Sequence, residues 1–489
     1  MFSVIRNLML LFSITMFILG LVFSNLNVLL ISICSVLLHN VFYALEQFST
    51  RIIFFAFNIT FFTFLLGRII TKPLTGFYDP YNNNFYGLDF NNVDTIRFIF
   101  ISLFISLLFI YIGYSLVKDK GIKTSWKYSG RLNVYKVAFF SKYLFYFTFI
   151  FNVVVLLEKV KFSSDNGYME LYSSYATNLP YLFVKISEMA PIAFFVFLAT
   201  FPTKRKSLLP ILLYIFLGVL SLLAGYRNTF ILNIMIILIY YCLRNISDKE
   251  KLWFGKKEII TCIISFPIII MQLNVVSYIR VDENVNRISM KDTFSEFFYK
   301  QGTSVNLIGY SETLSDVLPD DKNYTFGKII DLLNNNIISQ KVFNIEHYSP
   351  QTIESAKKGT SFADSISYTL DPYRYKNGWG YGSSYIAELN FDFGILGIII
   401  GNIVLGMLLA SMTRLFTKGI LGAWLCLNIT RAILYAPRSS FSAFIVDTFN
   451  LINLITIFII FVGSLLLQKR GNLVNLNKTM ALNTYHTRR

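Results

Sequence analysis

Arg431 lies in the middle of an apolar run (LNITRAILYAPRSS), and Arg438 follows seven residues later. On a helix that spacing is two turns, so both guanidiniums are expected on one face, with Asn428 one turn before Arg431. A cation inside a bilayer costs about 2.5–3.5 kcal/mol on insertion scales, so such residues call for a reason. Buried ion pairing is one, with Asp447 of the last run as a partner. Arg227 sits in a very short turn between two apolar runs (LLAGYRNTF), where Gly225 lets the chain reverse. It is either an interfacial snorkelling residue or part of a site. Arg280 and Arg287 (SYIRVDENVNR) follow the end of another run and read either as solvated loop charges or as further members. Guanidiniums stay charged and bind phosphate bidentately. Brought to one membrane face, Arg227, Arg280 and Arg438, with Arg431 below, would clamp an anionic lipid or a pyrophosphate.

A second stretch, GWGYGSSYIAELNFDFGILG at 378–397, combines flexible glycines with a carboxylate, Glu388, just before an apolar run. Glu388 could act as general base on a sugar hydroxyl or cap the helix that follows. Tyr373, Tyr375, Trp379, Tyr381 and Tyr385 could stack on sugars, although aromatic belts are common at membrane interfaces. Lys185 and Glu188, spaced i, i+3, suit a local ion pair. His347 reads as a surface histidine. No phosphate-binding loop, zinc-protease helix or nucleophile elbow occurs, which argues against cytoplasmic nucleotide chemistry.

The elements that must position these residues are membrane spans. Of 489 residues, 54% are hydrophobic and only 15% charged, against about a quarter charged in a soluble domain. Apolar runs lie near 6–24, 28–45, 52–71, 96–117, 137–157, 181–201, 208–224, 228–243, 258–276, 392–412, 420–436 and 441–467. The first reads as a retained span. The fold expected is an all-α polytopic membrane protein of about twelve helices. Residues 1–276 carry spans one to nine, 277–391 a long polar outer segment, 392–467 spans ten to twelve, and 468–489 a cytoplasmic tail. The polar segment holds amphipathic stretches at Asp292–Tyr299 and Phe326–Ile338, which predict a small helical cap on the outer face.

The net charge of +16 follows topology. Lys118, Lys120, Lys123, Lys127, Arg131 and Lys136 crowd one loop. Lys204, Arg205 and Lys206 fill a second, Arg244 to Lys257 a third, Arg414 and Lys418 a fourth, and the C-terminal tail is basic. With twelve spans and a cytoplasmic N-terminus, all five fall on the cytoplasmic side. This leaves no basic stripe with interleaved aromatics for nucleic acid. The four cysteines, Cys34, Cys242, Cys262 and Cys426, lie in apolar runs without metal or redox spacing.

The GYRN turn at 225–228, YKQGTSVNLIGY at 299–310 and GSSYIAELNFDFGILG at 382–397, set in this hydropathy layout, resemble the Wzy-type O-antigen polysaccharide polymerases. The resemblance implies a metal- and cofactor-independent membrane glycosyltransferase of the GT-C type. It would act at the periplasmic face of the bacterial inner membrane. Undecaprenyl-diphosphate-linked oligosaccharides would be both donor and acceptor, the chain moving en bloc with loss of the lipid diphosphate. Glu388, Arg227 and Arg280 are then the expected catalytic residues. Arg431, Arg438, Arg287, Gln301, Tyr385 and Tyr226 are expected to bind diphosphate or sugar. Membrane lipid and a chain-length regulator are the further partners to consider. An O-antigen ligase and a lipid-linked oligosaccharide flippase are the competing readings. A flippase usually lacks a large outer segment, and transporters often show repeats that are not evident here.

Overall fold

Backbone groups in hydrocarbon must be satisfied within their own segment, so long apolar runs become helices. The structure is a computed structural model and describes residues 2–77, 79, 84–117, 133–168, 170–247, 252–279, 290–334, 339, 341, 346, 348–349 and 351–486. Among these residues there is helix and turn and no strand. The first half runs α1 (Phe2–Val22), α2 (Leu26–Leu45), α3 (Phe48–Thr75), α4 (Val93–Leu116), α5 (Val134–Asn166) and α6 (Tyr181–Ala199). It continues with α7 (Lys204–Leu223), α8 (Arg227–Ser247) and α9 (Lys256–Ile279). Shorter helices follow, among them α10 (Met290–Gln301), α11 (Asn306–Thr313), α12 (Gly327–Asn334), α13 (Ile353–Lys358) and α14 (Phe362–Leu370). The chain ends with α15 (Tyr385–Phe416), α16 (Ile420–Ile433), α17 (Ala443–Phe449) and α18 (Leu451–His486).

Eleven membrane-spanning candidates come from α1–α8, α15, α16 continued to Arg438, and α17 with α18 as far as Lys469. The 24-residue α9 stands where the ninth run was expected and is not among the eleven. Polar residues in the spans turn inward, where partners exist. His39 and Asn40 are fully buried, and Asn40 donates to Asn58 Oδ1 (3.2 Å) and to the Leu107 carbonyl (3.1 Å).

The connections gather at two ends. At one, Lys204 pairs with Glu258 and donates to the Trp253 carbonyl, Thr413 donates to the Thr50 carbonyl, and Phe201 packs on Phe416. This is the basic end. At the far end, Tyr86 donates to Asn27, Tyr168 packs over Gly225, and Arg438 reaches Gln301. Among the described residues these connections alternate between the two ends along the chain.

Four breaks depart from straight helices. In α3, Phe62–Leu66 is a π-helical turn. In α15, Gly394 has φ +62 and ψ −157, which separates the segment bearing Glu388 from the span proper. After α16 the chain tightens into a 3-10 turn at Ala436–Arg438, because Pro437 has no N–H to continue an α-helix. Arg431 and Arg438 therefore do not share one uninterrupted helix, contrary to the expected two-turn spacing. The twelfth run breaks at Asn450, so Asp447 belongs to the separate short helix α17. The expected tail continues α18 as far as His486.

Both amphipathic stretches are helical over α10 and α12; residues 335–338 lie outside the described residues. The α10 helix lies against the π-helical turn: Phe298 meets Phe62 edge-on at 5.3 Å, and its carbonyl lies against Gly67. A Cβ at Gly302 would come within 2.4 Å of the Arg68 backbone nitrogen, so only glycine permits this approach.

Candidate anion-binding site at the far end

A cavity of about 350 Å³ opens at the far end between the start of α8, the end of α16, the end of α10 and α17. Its walls include Arg227, Arg431 and Arg438, with Tyr226, Asn228, Gln301, Tyr435 and Asp447. Arg227 begins α8, directly after the turn in which Gly225 takes φ +96. A side chain at 225 would collide with the ring of Tyr168, which closes that side of the cavity. Burial, with Tyr168 beside it, raises the Tyr226 hydroxyl above its ordinary range, so it remains a neutral donor on the wall.

The guanidinium of Arg438 donates to the backbone carbonyl of Gln301 (3.3 Å) and to its side-chain oxygen (3.4 Å). These partners hold the side chain without cancelling its charge. Arg431 has its Nε buried and without a hydrogen-bond partner. Among the described residues neither Arg431 nor Arg438 has a carboxylate within 4 Å, so the alternative of buried ion pairing with Asp447 is not realised. Between them Tyr435 accepts a hydrogen bond from Asn228 (2.6 Å) and meets Phe64 of the π-helical turn edge-on at 5.6 Å. Among the described residues the cavity therefore presents three guanidiniums against one carboxylate, with hydroxyl and amide groups between them. Such a set is suited to a multiply charged phosphate ester.

Arg227, Arg431, Arg438, Gln301 and Tyr226 are thus brought together, as the sequence reading expected. Arg280 and Arg287 lie outside the described residues, as does His347. Tyr385 is elsewhere: fully buried, it donates to Asn402, which donates to Ser106 and joins α15 to α4. Glu388 is also off the cavity wall. It is 1% exposed and accepts from the Ser383 hydroxyl (2.6 Å) and the Phe441 N–H (2.9 Å). It anchors the loop that follows Arg438. Asn428 turns back to the Trp424 carbonyl of its own helix, and Lys185 pairs with Glu188 at 3.0 Å.

Sequence reasoning passed over Tyr435, Asn228, Tyr168 and the cavity-facing position of Asp447. Tyr435 stands four residues after Arg431, a helical neighbour that could have been found. Tyr168 carries no such signal. Arg68 was also missed. It is buried near the far end of α3, beside Asp89 (3.5 Å) and Asp79 (3.8 Å), and under the Tyr299 ring (4.2 Å). Tyr299 donates to Asp79 (2.7 Å); burial, then this bond, raises its hydroxyl above the ordinary range. Asn306 and Tyr310 bond Asp89. This network fixes the residues on both sides of Gln301. Among the described residues, no group of three or more His, Cys, Asp or Glu is arranged to hold a metal ion.

A many-helix membrane protein with a cationic cavity at one end is the class that fold and site define. The family model for the O-antigen polysaccharide polymerase Wzy matches residues 5–471, and the chain belongs to that family. No curated protein and no solved structure matches it.

Proposed function

We propose that the protein lengthens a surface polysaccharide from undecaprenyl-diphosphate-linked oligosaccharide units, en bloc, at the periplasmic face of the inner membrane. The basic end is cytoplasmic, both termini lie there, and the cavity opens to the periplasm. The observation that carries this reading is the convergence of Arg227, Arg431 and Arg438 on one cavity, with Arg431 and Arg438 free of ion pairs among the described residues. Bond cleavage leaves its electron pair on the diphosphate, so negative charge grows there in the transition state. Preorganised cations stabilise it as it grows. A guanidinium about 4 Å from a phosphate charge contributes roughly 4 kcal/mol at an effective dielectric constant near 20. No cofactor, metal or nucleotide sugar enters this scheme. Glu388 serves as a positioning residue, holding the loop after Arg438 through Phe441.

The test is reconstitution of the purified protein with its lipid-linked repeat unit. The expected result is a ladder of lipid-linked products and release of undecaprenyl diphosphate. Substrate moved across the bilayer at unchanged length, or polymer appearing only on lipid A core, would replace this reading with a flippase or a ligase.

A further inference from the structure

Among the described residues, Asp447 is the one acidic side chain on the wall of the cationic cavity. Its main chain is held firmly. The Asp447 carbonyl accepts from the side-chain amides of Asn450 (3.3 Å) and Asn453 (2.8 Å), and Asn453 also bonds the Thr448 carbonyl. These bonds close α17 at the break before α18. The carboxylate itself makes no hydrogen bond or ion pair among the described residues, and the residue is exposed toward the cavity. The cations whose charge reaches it are Arg431 and Lys328, the latter on α12, which packs against α17.

A carboxylate here opposes the binding of a diphosphate, because it adds negative charge to an anion site. Its placement therefore needs a second purpose. Glu388 does not supply that purpose, since both its oxygens are engaged and it is buried away from the wall. We propose that Asp447 is the general base that takes the proton from the acceptor sugar's hydroxyl. This rests on the polymerase reading above and adds a catalytic residue to it.

In the step, the acceptor oxygen forms a bond to the donor's anomeric carbon as that carbon's bond to the diphosphate oxygen breaks. The hydroxyl proton passes to a carboxylate oxygen of Asp447, and the bonding electron pair leaves on the lipid diphosphate, facing the guanidiniums. Asp447 then gives the proton to solvent. A single displacement of this kind inverts the anomeric configuration.

The experiment uses the full chain reconstituted in bilayer discs. The lipid-linked repeat unit serves for turnover, and undecaprenyl diphosphate is the binding probe. Asp447→Asn should lower kcat by roughly 100- to 10,000-fold, the usual contribution of a general base. It should bind undecaprenyl diphosphate as tightly as the wild type or more so. Asp447→Glu should recover part of the rate, and the wild-type linkage should be inverted. Wild-type kcat in Asp447→Asn overturns the proposal. So does parallel loss of binding and turnover, which would make Asp447 a structural partner of the arginines, and so does a retained anomeric configuration. If the wild type makes no ladder and binds no undecaprenyl diphosphate, the polymerase reading itself fails.

Discussion

Two arginine environments lie on either side of Gln301. On one side Arg68 is enclosed by two aspartates, an aromatic ring and the carbonyl of Gly87. On the other, Arg438 is held by neutral oxygens of Gln301, and Arg431 keeps a buried N–H without a partner. The first arrangement is internally compensated: it fixes a loop and has no positive charge left over. The second leaves positive charge for something the protein does not itself supply. A partly buried charge without an opposite partner is costly, and a cavity that holds Arg431 and Arg438 in that state is organised for a ligand of opposite sign. The difference distinguishes a guanidinium used to build the fold from one used to act.

The largest effect that would break this contrast is expected at the uncompensated site. Arg438→Ala and Arg431→Ala should each lower polymerisation by about 100-fold or more, comparable to the loss of one preorganised donor to a developing anion. Thermal unfolding in detergent should change little. Lysine should restore only part of the rate, since it cannot present the planar two-pronged donor. If either alanine variant made full-length polymer at the wild-type rate, its guanidinium would not be part of the site.

Arg68→Ala should show the opposite pattern. Breaking a buried pair strands the remaining charges and typically costs about 3–5 kcal/mol. Asp89 is partly exposed, so a value near 3 kcal/mol is expected here. The measurements are the unfolding midpoint and the polymerase activity per folded molecule. A clear drop in the first with little change in the second supports the contrast. An unchanged midpoint with lost activity would put Arg68 with the functional arginines.

Gln301 tests the boundary between the two environments. Gln301→Glu would place a carboxylate where the Arg438 guanidinium now meets an amide oxygen at 3.4 Å. The cavity would lose one unit of net positive charge. Turnover should fall about tenfold, equivalent to roughly 1.4 kcal/mol, and undecaprenyl diphosphate should bind more weakly. Gln301→Ala keeps the backbone acceptor and should do less. If the glutamate variant raised both stability and activity, Arg438 would be a structural cation after all.

How much of this was legible in the sequence follows from what each feature depends on. The spans are written in continuous apolar runs, and their parity in the placement of Lys204–Lys206, Arg414 and Lys418. Arg227, Arg431 and Arg438 were legible because a cation in or beside such a run stands out against its cost. Arg68 was not, because Asp79, Asp89 and Tyr299 are remote from one another in the chain and meet only after folding. The roles of Glu388 and Asp447 depended on breaks that hydropathy does not register. Gly394 separates Glu388 from the rest of its helix, and the break at Asn450 sets Asp447 on a short helix of its own at the cavity wall. A single backbone angle, rather than any change in composition, decides each case.

The smallest expected effect concerns Glu388. Its oxygens accept from Ser383 and from the Phe441 N–H, and glutamine keeps one acceptor of the same shape. The Ser383 hydroxyl can rotate to accept from the new amide. Glu388→Gln should therefore lose only a few-fold in rate, about 1 kcal/mol at most, with a small fall in thermal stability. Glu388→Ala leaves a buried N–H and a hydroxyl unpartnered beside a void and should loosen the loop that follows Arg438. Its cost should appear first as reduced stability and as weaker binding of undecaprenyl diphosphate. A Glu388→Gln variant that binds the lipid normally yet turns over a thousandfold slower would make Glu388 the proton acceptor, and the two carboxylates would exchange the roles assigned to them here.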